Sequence, residues 1–353
     1  MKEGSSLAAI ATELSRQLTV RKDYHAPSDK IEMVASEGNI GIKGILSDSL
    51  GITEHAHSQF ADRLSIPKKY YDRMRQTDPE LLAHNVNTWL HKEPENRLIR
   101  TLDGKVRAFL SSSYRALDNY DLAEAALPVL QENNCQVVSS ELTETKMYLK
   151  AILPSLSTEI VGSRQKGDVV QAGIVISNSE VGNGSVKIEP MIYRLVCTNG
   201  MIAPDSSLRK YHIGKGADVD GVRELLTDET RQADDKAFWL KVRDIVRGAF
   251  NRDVFLGLVS KIESAAQNQI RSSNLMEVVE VTANKFAMPE AHKHSILTHL
   301  IHGGDLSQWG LVNAVTRTAN DMPQYEVATE LERTGGKILE LSPQEWRVIS
   351  EAA

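Results

Sequence analysis

The sequence predicts an α+β protein: a central, mostly antiparallel sheet with flanking helices, followed by an all-helical C-terminal region. Three observations lead there. Residues 169–204 hold two Val/Ile-rich runs, Val169–Ile176 and Val186–Cys197. Asn178, Ser179, Gly182, Asn183 and Gly184 separate them, giving strand, loop and strand. Residues 97–110 hold two alternating runs around Asp103-Gly104, a strong two-residue hairpin signal. From Asp218 onward the apolar period becomes that of a helix. The sheet is expected between about Ile40 and Pro204. The chain then divides into an N-terminal helix and irregular arm (1–36), an α+β core (37–216) and a helical region (217–353).

Taken in order, Ser5–Leu18 carries Leu7, Ile10, Leu14 and Leu18 at helical spacing, and Val20–Ser36 reads as charged and irregular. Ile40–Leu46 is a short strand. Thr53 caps a helix through Leu64, Ser65-Ile66-Pro67 turns the chain, and Lys68–Arg75 starts the next helix. That pair has the outline of a helix-turn-helix, but the pattern is short and such packing is common in helical domains, so a helical hairpin packed on the sheet is the preferred reading. Glu80–Leu90 is a third helix. The Asp103-Gly104 turn sets Leu102 opposite Lys105, Arg100 opposite Arg107 and Leu98 opposite Phe109 on an exposed side. Ile99, Thr101, Val106 and Ala108 fall on the core side. Asp118 or Asn119 opens a helix to about Glu132, with Pro128 as a kink or stop. Gln136–Leu142 and Lys146–Ile152 form a further hairpin. In the second central strand Val186, Ile188, Ile192 and Val196 share one face, and Pro190 requires an edge or a bulge. These strands number five to seven. Helices are then expected over Asp218–Leu226, Thr230–Phe250, Val254–Gln267, Leu275–Phe286, Glu290–His302, Leu306–Ala319, Tyr325–Thr334 and Pro343–Ser350. Gly303-Gly304 and Gly335-Gly336 act as stops.

The 353 residues are 41% hydrophobic and 25% charged, enough for one large or two moderate domains. The apolar runs are strand-length, short of the ~20 residues of a membrane span, so no membrane partner is expected. The N-terminal stretch lacks a signal-peptide core, and Cys135 and Cys197 read as reduced thiols of a cytoplasmic protein. A net charge of −6 excludes a protein that coats nucleic acid with its whole surface. There is no Gly-x-x-x-x-Gly-Lys-Ser/Thr, Gly-x-Ser-x-Gly or His-Glu-x-x-His, so no catalytic residues and no cofactor are assigned. Glu141, Glu144 and Lys146 share the ingredients of a metal-dependent nuclease, at loose spacing in a turn. His292, His299 and His302 approach one helix face, but spacings of seven and three suit zinc poorly, and no metal site is expected.

What remains is basic. Arg100, Lys105 and Arg107 beside Phe109 form a hairpin face suited to a single nucleic-acid strand, and Arg115 follows closely. Opposed arginines repel, so an anion or carboxylates from elsewhere should sit there. Arg209, Lys210, Tyr211 and Lys215 make a second basic patch with an aromatic.

The segment ISNSEVGNGSVKIEPMIYRLVCTNGMI (176–202) resembles the central signature of a phage- and plasmid-borne family known as domain of unknown function 932. SSSYRALDNYDLAEAALPVL (111–130), TEHAHSQFADRLSIPKKYYDRM (53–74) and SQWGLVNAVTRTA (307–319) resemble its other blocks, in the same order. The resemblance implies a mobile-element setting and supplies no catalytic residues. With the basic hairpins, it leads to the expectation of an accessory protein that binds or anneals single-stranded DNA in recombination or replication. A homo-oligomer is compatible with that role. A protein-interaction or anti-defence protein and a metal-dependent nucleic-acid enzyme are the alternatives.

Overall fold

The computed structural model describes residues 1–36, 39–45, 49–203 and 227–352. Its strands form two sheets, where the sequence had suggested one. Six strands, β1 (Lys22–Pro27), β2 (Glu32–Ser36), β3 (Asn39–Lys43), β4 (Leu50–Ile52), β5 (Asn96–Leu102) and β6 (Lys105–Ser111), lie in the order β1-β5-β6-β4-β3-β2. Five more, β7 (Gln136–Leu142), β8 (Met147–Glu159), β9 (Val169–Asn178), β10 (Lys187–Arg194) and β11 (Asn199–Ile202), lie in the order β11-β10-β9-β8-β7. All neighbours are antiparallel except β4 and β6. The class is therefore α+β.

The stretch expected to be irregular supplies both edges of the first sheet, β1 on β5 and β2 on β3. Edge strands such as KDYHAP carry charge and proline because one side needs no partner, which hides their periodicity. Helices α2 (Glu54–Arg63), α3 (Lys68–Thr77) and α4 (Pro79–Lys92) cover this sheet. Phe60, Tyr71, Leu82, Val86 and Leu90 bury against Ile99, Val106 and Phe109. The Thr53 and Asp78 side chains cap α2 and α4 through the amides of Ala56 and Leu81.

The β5–β6 hairpin turns at Asp103 (φ 50°) and Gly104 (φ 72°), as its sequence demands. Its register differs from the expected one. Thr101 pairs with Val106 but Arg100 pairs with Ala108, leaving Arg107 as a bulged extra residue. Beyond the bulge Ile99 faces Phe109 and Leu98 faces Leu110. The bulge carries Phe109 onto the core side, where its ring stacks on Phe60 with centroids 4.2 Å apart. Ala108 moves to the other face with Leu98, Leu110 and Val181.

In the second sheet Val186, Ile188 and Ile192 alternate into the interior as expected, but β10 ends at Arg194 and Val196, expected on the same face, lies exposed in the turn to β11. Val186, Ile188, Ile174 and Ile176 pack with α1 (Leu7–Val20), α5 (Asn119–Glu132) and α6 (Asp228–Gly248). Pro190 pairs with Ile174 of β9 and lies one residue past the end of the β10–β11 ladder, so β10 is locally an edge there and the missing N–H falls outside that ladder. Pro128 lies within α5 and does not end it. The chain continues as α7 (Arg252–Gln267), α8 (Leu275–Lys285), α9 (Glu290–Gly303), α10 (Gln308–Thr318), α11 (Tyr325–Leu339) and α12 (Pro343–Ser350). These pack on Val170, Ala172, Ile192 and Met201 at one end of the sheet. Gly304, at φ 65°, ends α9 as expected. Gly335 and Gly336 do not end α11, which runs four residues past Gly335 to Leu339. A Cβ on Gly335 would meet Thr316 Cγ2 at 2.4 Å, so glycine there permits α11 to approach α10. The expected helix Asp218–Leu226 lies outside the described residues. Among those residues no helix is long and apolar enough to cross a membrane.

Candidate anion-binding site

The expected basic hairpin face is not exposed. Arg100 has no exposed surface and Phe109 none, while Arg107 is 7% exposed. Arg100 donates from Nε to Asp23 (2.9 Å), from Nη1 to the Glu180 carbonyl (2.9 Å) and from Nη2 to Asp118 (2.7 Å). Arg107 donates from Nη1 to Glu180 Oε2 (2.6 Å), while Glu180 Oε1 accepts from the amide of Asn119. Arg21 completes the cluster on Asp118 at 2.6 Å. Carboxylates from elsewhere thus offset the arginines, tying the first sheet to the start of α5 and the β9–β10 loop. Asp118 sits at the N-cap of α5 but makes no cap hydrogen bond; both its oxygens go to arginines. Lys105 stays exposed at the turn. Arg115 is held by Asp234 (3.0 Å) and Asp235 (2.7 Å) over the Phe238 ring. Arg209, Lys210, Tyr211 and Lys215 lie outside the described residues.

The histidines of α9 do not converge. His299 Nε2 bonds Asp321 Oδ2 at 2.7 Å, His302 is exposed, and His292 is half-buried. Among the described residues no group of three His, Cys, Asp or Glu is placed to hold a metal ion. Glu141, Glu144 and Lys146 do not form such a group either. Glu144 accepts from the amide of His55, and Glu141 lies near the Ser5 hydroxyl.

The basic groups that do converge come from segments the sequence reading left aside. A cavity of about 520 Å³ opens between the β8–β9 connection, the end of β10, and helices α9 and α10. Arg164, Lys166, Arg194 and Arg317 line it with His299, against the single carboxylate of Asp305. Arg194 is its fixed point. Its guanidinium grips Asp168 through Nε and Nη2, the latter at 2.8 Å. Asp168 is fully buried and also accepts from Ser163 Oγ (2.6 Å) and Trp309 Nε1 (3.2 Å). The Trp309 ring lies 5.8 Å from the guanidinium carbon. Burial alone would raise the Asp168 carboxyl, but the bonds and charge of Arg194, with Ser163 and Trp309, hold it below its ordinary value. A carboxylate so fixed orients the arginine as a supporting group orients a ligand. The remaining Arg194 nitrogen, Nη1, rests on the Cys197 thiol at 3.4 Å, a weak acceptor. Arg317 Nη1 donates to the Cys197 carbonyl at 2.6 Å, which holds this second guanidinium at the rim.

Local sequence explains the shape. Ser307 caps α10 on the amide of Gly310. A Cβ on Gly310 would stand 1.7 Å from the Asp305 carbonyl oxygen, so glycine alone lets the α9–α10 connection close on the first turn of α10. Asn313 and Arg317 then project one turn apart toward the cavity. The signal in the sequence was present: Arg194 interrupts an apolar strand, and Trp309 and Gly310 open a helix. Nothing in the spacing tied Asp168 to them.

The model of a family described as domain of unknown function (DUF932) matches residues 108–325, more than half of the chain. The chain belongs to that family, and the whole lining of this cavity falls within the matched region. No curated protein matches the sequence. No solved structure matches it either.

Proposed function

We propose that the chain is a nucleic-acid-binding accessory protein, acting on single-stranded DNA in recombination or replication, and that it holds backbone phosphate in the Arg194/Arg317 cavity. The observation that carries this reading is a lining in which Arg164, Lys166 and Arg317 surround Arg194, itself braced and offset by Asp168, with Asp305 as the one carboxylate of the lining. Arginine presents a planar fork that matches phosphate oxygens, and Arg194 and Arg317 reach the cavity from fixed positions. Arg164 and Lys166 are exposed at its mouth and add the screened attraction that draws a polyanion in. A flexible single strand can enter a recess that a stiff duplex spans. The phage and plasmid setting implied by the sequence resemblance is in keeping with such a role.

The test is fluorescence anisotropy of labelled single- and double-stranded DNA between about 50 and 200 mM salt. Arg164→Ala/Lys166→Ala removes two exposed cations. It should weaken single-strand binding and flatten the log–log salt slope by about 0.7 per lost phosphate contact. Wild-type protein that binds neither DNA, or a variant with unchanged affinity and slope, refutes the reading and favours a protein-interaction role.

A further inference from the structure

The Arg194 cavity has a buried floor and an exposed mouth, and the two suit different phosphates. Arg194 forms the floor, while Arg164 and Lys166 stand exposed at the mouth. We infer that the phosphate seated against Arg194 is a terminal phosphomonoester, the phosphorylated end of a strand, and that backbone phosphates meet the mouth. This rests on the DNA-binding reading above and names what that site recognises.

The first argument is access. Arg194 is 6% exposed, and Asp168 and Trp309, which brace it, are buried behind it. Its Nη1 edge lies against the Cys197 thiol, inside the recess. A backbone phosphate carries a nucleoside on each side. To reach that edge, a strand would have to run in and double back within the same cavity. The cavity measures about 520 Å³. That lies within the ~300–1,000 Å³ of a site for one small molecule, so it holds about one nucleotide and not a loop of strand. A terminal phosphate carries a substituent on one side only. A strand end therefore reaches the floor without doubling back.

The second argument is charge. Arg164, Lys166, Arg194 and Arg317 line the cavity with Asp305, and Asp168 offsets Arg194 from behind, which leaves a surplus of two positive charges. Asp321 stands outside the lining. Its half-exposed carboxylate is engaged by His299 at 2.7 Å and Ser295 at 3.0 Å, where water screens it. A backbone phosphate brings one negative charge. A terminal phosphate brings about 1.5–2 at neutral pH, with three acceptor oxygens. The monoester matches the surplus, and its oxygens can meet Arg194 at the floor and Arg317 at the rim together.

The experiment is competition anisotropy on the full chain with short single strands of one sequence. They carry a 5′-phosphate, a 3′-phosphate or hydroxyls at both ends, and a circular single strand supplies no end at all. At least one phosphorylated strand should bind about tenfold or more tighter than the hydroxyl-ended strand, the effect of one added charge-assisted bond. The circle should bind like the hydroxyl-ended strand, and the two phosphorylated strands tell which end is read. Arg317→Gln keeps a donor for the Cys197 carbonyl and loses the charge. With matched circular dichroism, it should bring the phosphorylated strand close to the hydroxyl-ended one. Arg164→Ala/Lys166→Ala should weaken the circle and the hydroxyl-ended strand as well. Equal binding of phosphorylated and hydroxyl-ended strands by the wild-type chain overturns the inference. If Arg164→Ala/Lys166→Ala still weakens both, the DNA-binding reading stands without it. An end preference that survives intact in Arg317→Gln also overturns the inference, since the end is then read elsewhere. Failure of every strand to bind overturns both.

Discussion

Arg100→Ala separates the buried hairpin from an exposed binding face. If Arg100 were a surface contact, its loss would leave stability untouched. In the structure the guanidinium is fully enclosed and serves Asp23, Asp118 and the Glu180 carbonyl together. Removing one member of a buried ion pair costs about 3–5 kcal/mol, because the partner stays buried without its counter-charge. Asp118 keeps Arg21 at 2.6 Å, and the Asp23 side chain is 34% exposed and can hydrate. Those two facts move the expected loss to the lower end, about 3 kcal/mol. Against a total of roughly 5–15 kcal/mol this is a large fraction. With a slope of about 3 kcal/mol per molar, the urea midpoint should fall by about 1 M. Arg100→Met keeps most of the volume and loses the charge, so it should recover only the part due to the cavity. An Arg100→Ala variant with the wild-type urea midpoint and slope would refute the buried network.

Two further predictions concern buried ionisable groups. Burial, aided by Arg75, pulls the His57 imidazole down to about 4, beside the Tyr71 hydroxyl at 2.8 Å. The unfolded chain takes up that proton at about pH 6.5, so stability is full above this value and falls as pH drops toward 4. The loss reaches at most about 3 kcal/mol, and His57→Phe should flatten this limb in urea titrations between pH ~7.5 and ~4.5; an unchanged slope contradicts it. The Lys150–Glu332 pair has no exposed side-chain surface, and Glu332 Oε1 has no partner among the described residues. Lys150→Met should cost about 3–5 kcal/mol, whereas Lys150→Met/Glu332→Leu should return to or exceed wild-type stability. Equal melting losses in the single and double variants would show that the pair contributes through packing instead.

Local signals carried most of the fold into the sequence. Thr53, the Asp103-Gly104 turn, Gly304 and the apolar periods of the C-terminal helices each state a backbone conformation within a few residues. What escaped depends on distant partners. The bulge at Arg107 is invisible in the alternation of the hairpin, yet it decides which face Phe109 joins. β1 is a short edge strand whose partner β5 lies far along the chain, and β2 pairs with the adjacent β3 from a charged stretch that hides its alternation. Gly335 reads as a stop until Thr316 is seen beside it. The Arg194 cavity was illegible for the same reason: Asp168, Arg194, Trp309 and Arg317 are each unremarkable in sequence and meet only through the sheet and α10.

The two arginine clusters explain why composition alone pointed to the buried one. Arg100 and Arg194 both interrupt apolar strands, and both pair with buried carboxylates. The difference lies in what remains of each guanidinium. All three Arg100 nitrogens are engaged by oxygen acceptors inside a closed junction. Binding an anion there would require breaking bonds that already hold the sheet to α5. Arg194 spends Nε and Nη2 on Asp168 and leaves Nη1 on a thiol at the wall of an open cavity. Exchanging a weak sulfur contact for a phosphate oxygen gains a charge-assisted bond and gives up little. An arginine is available for binding when one edge stays unspent beside open space, and that property belongs to the fold.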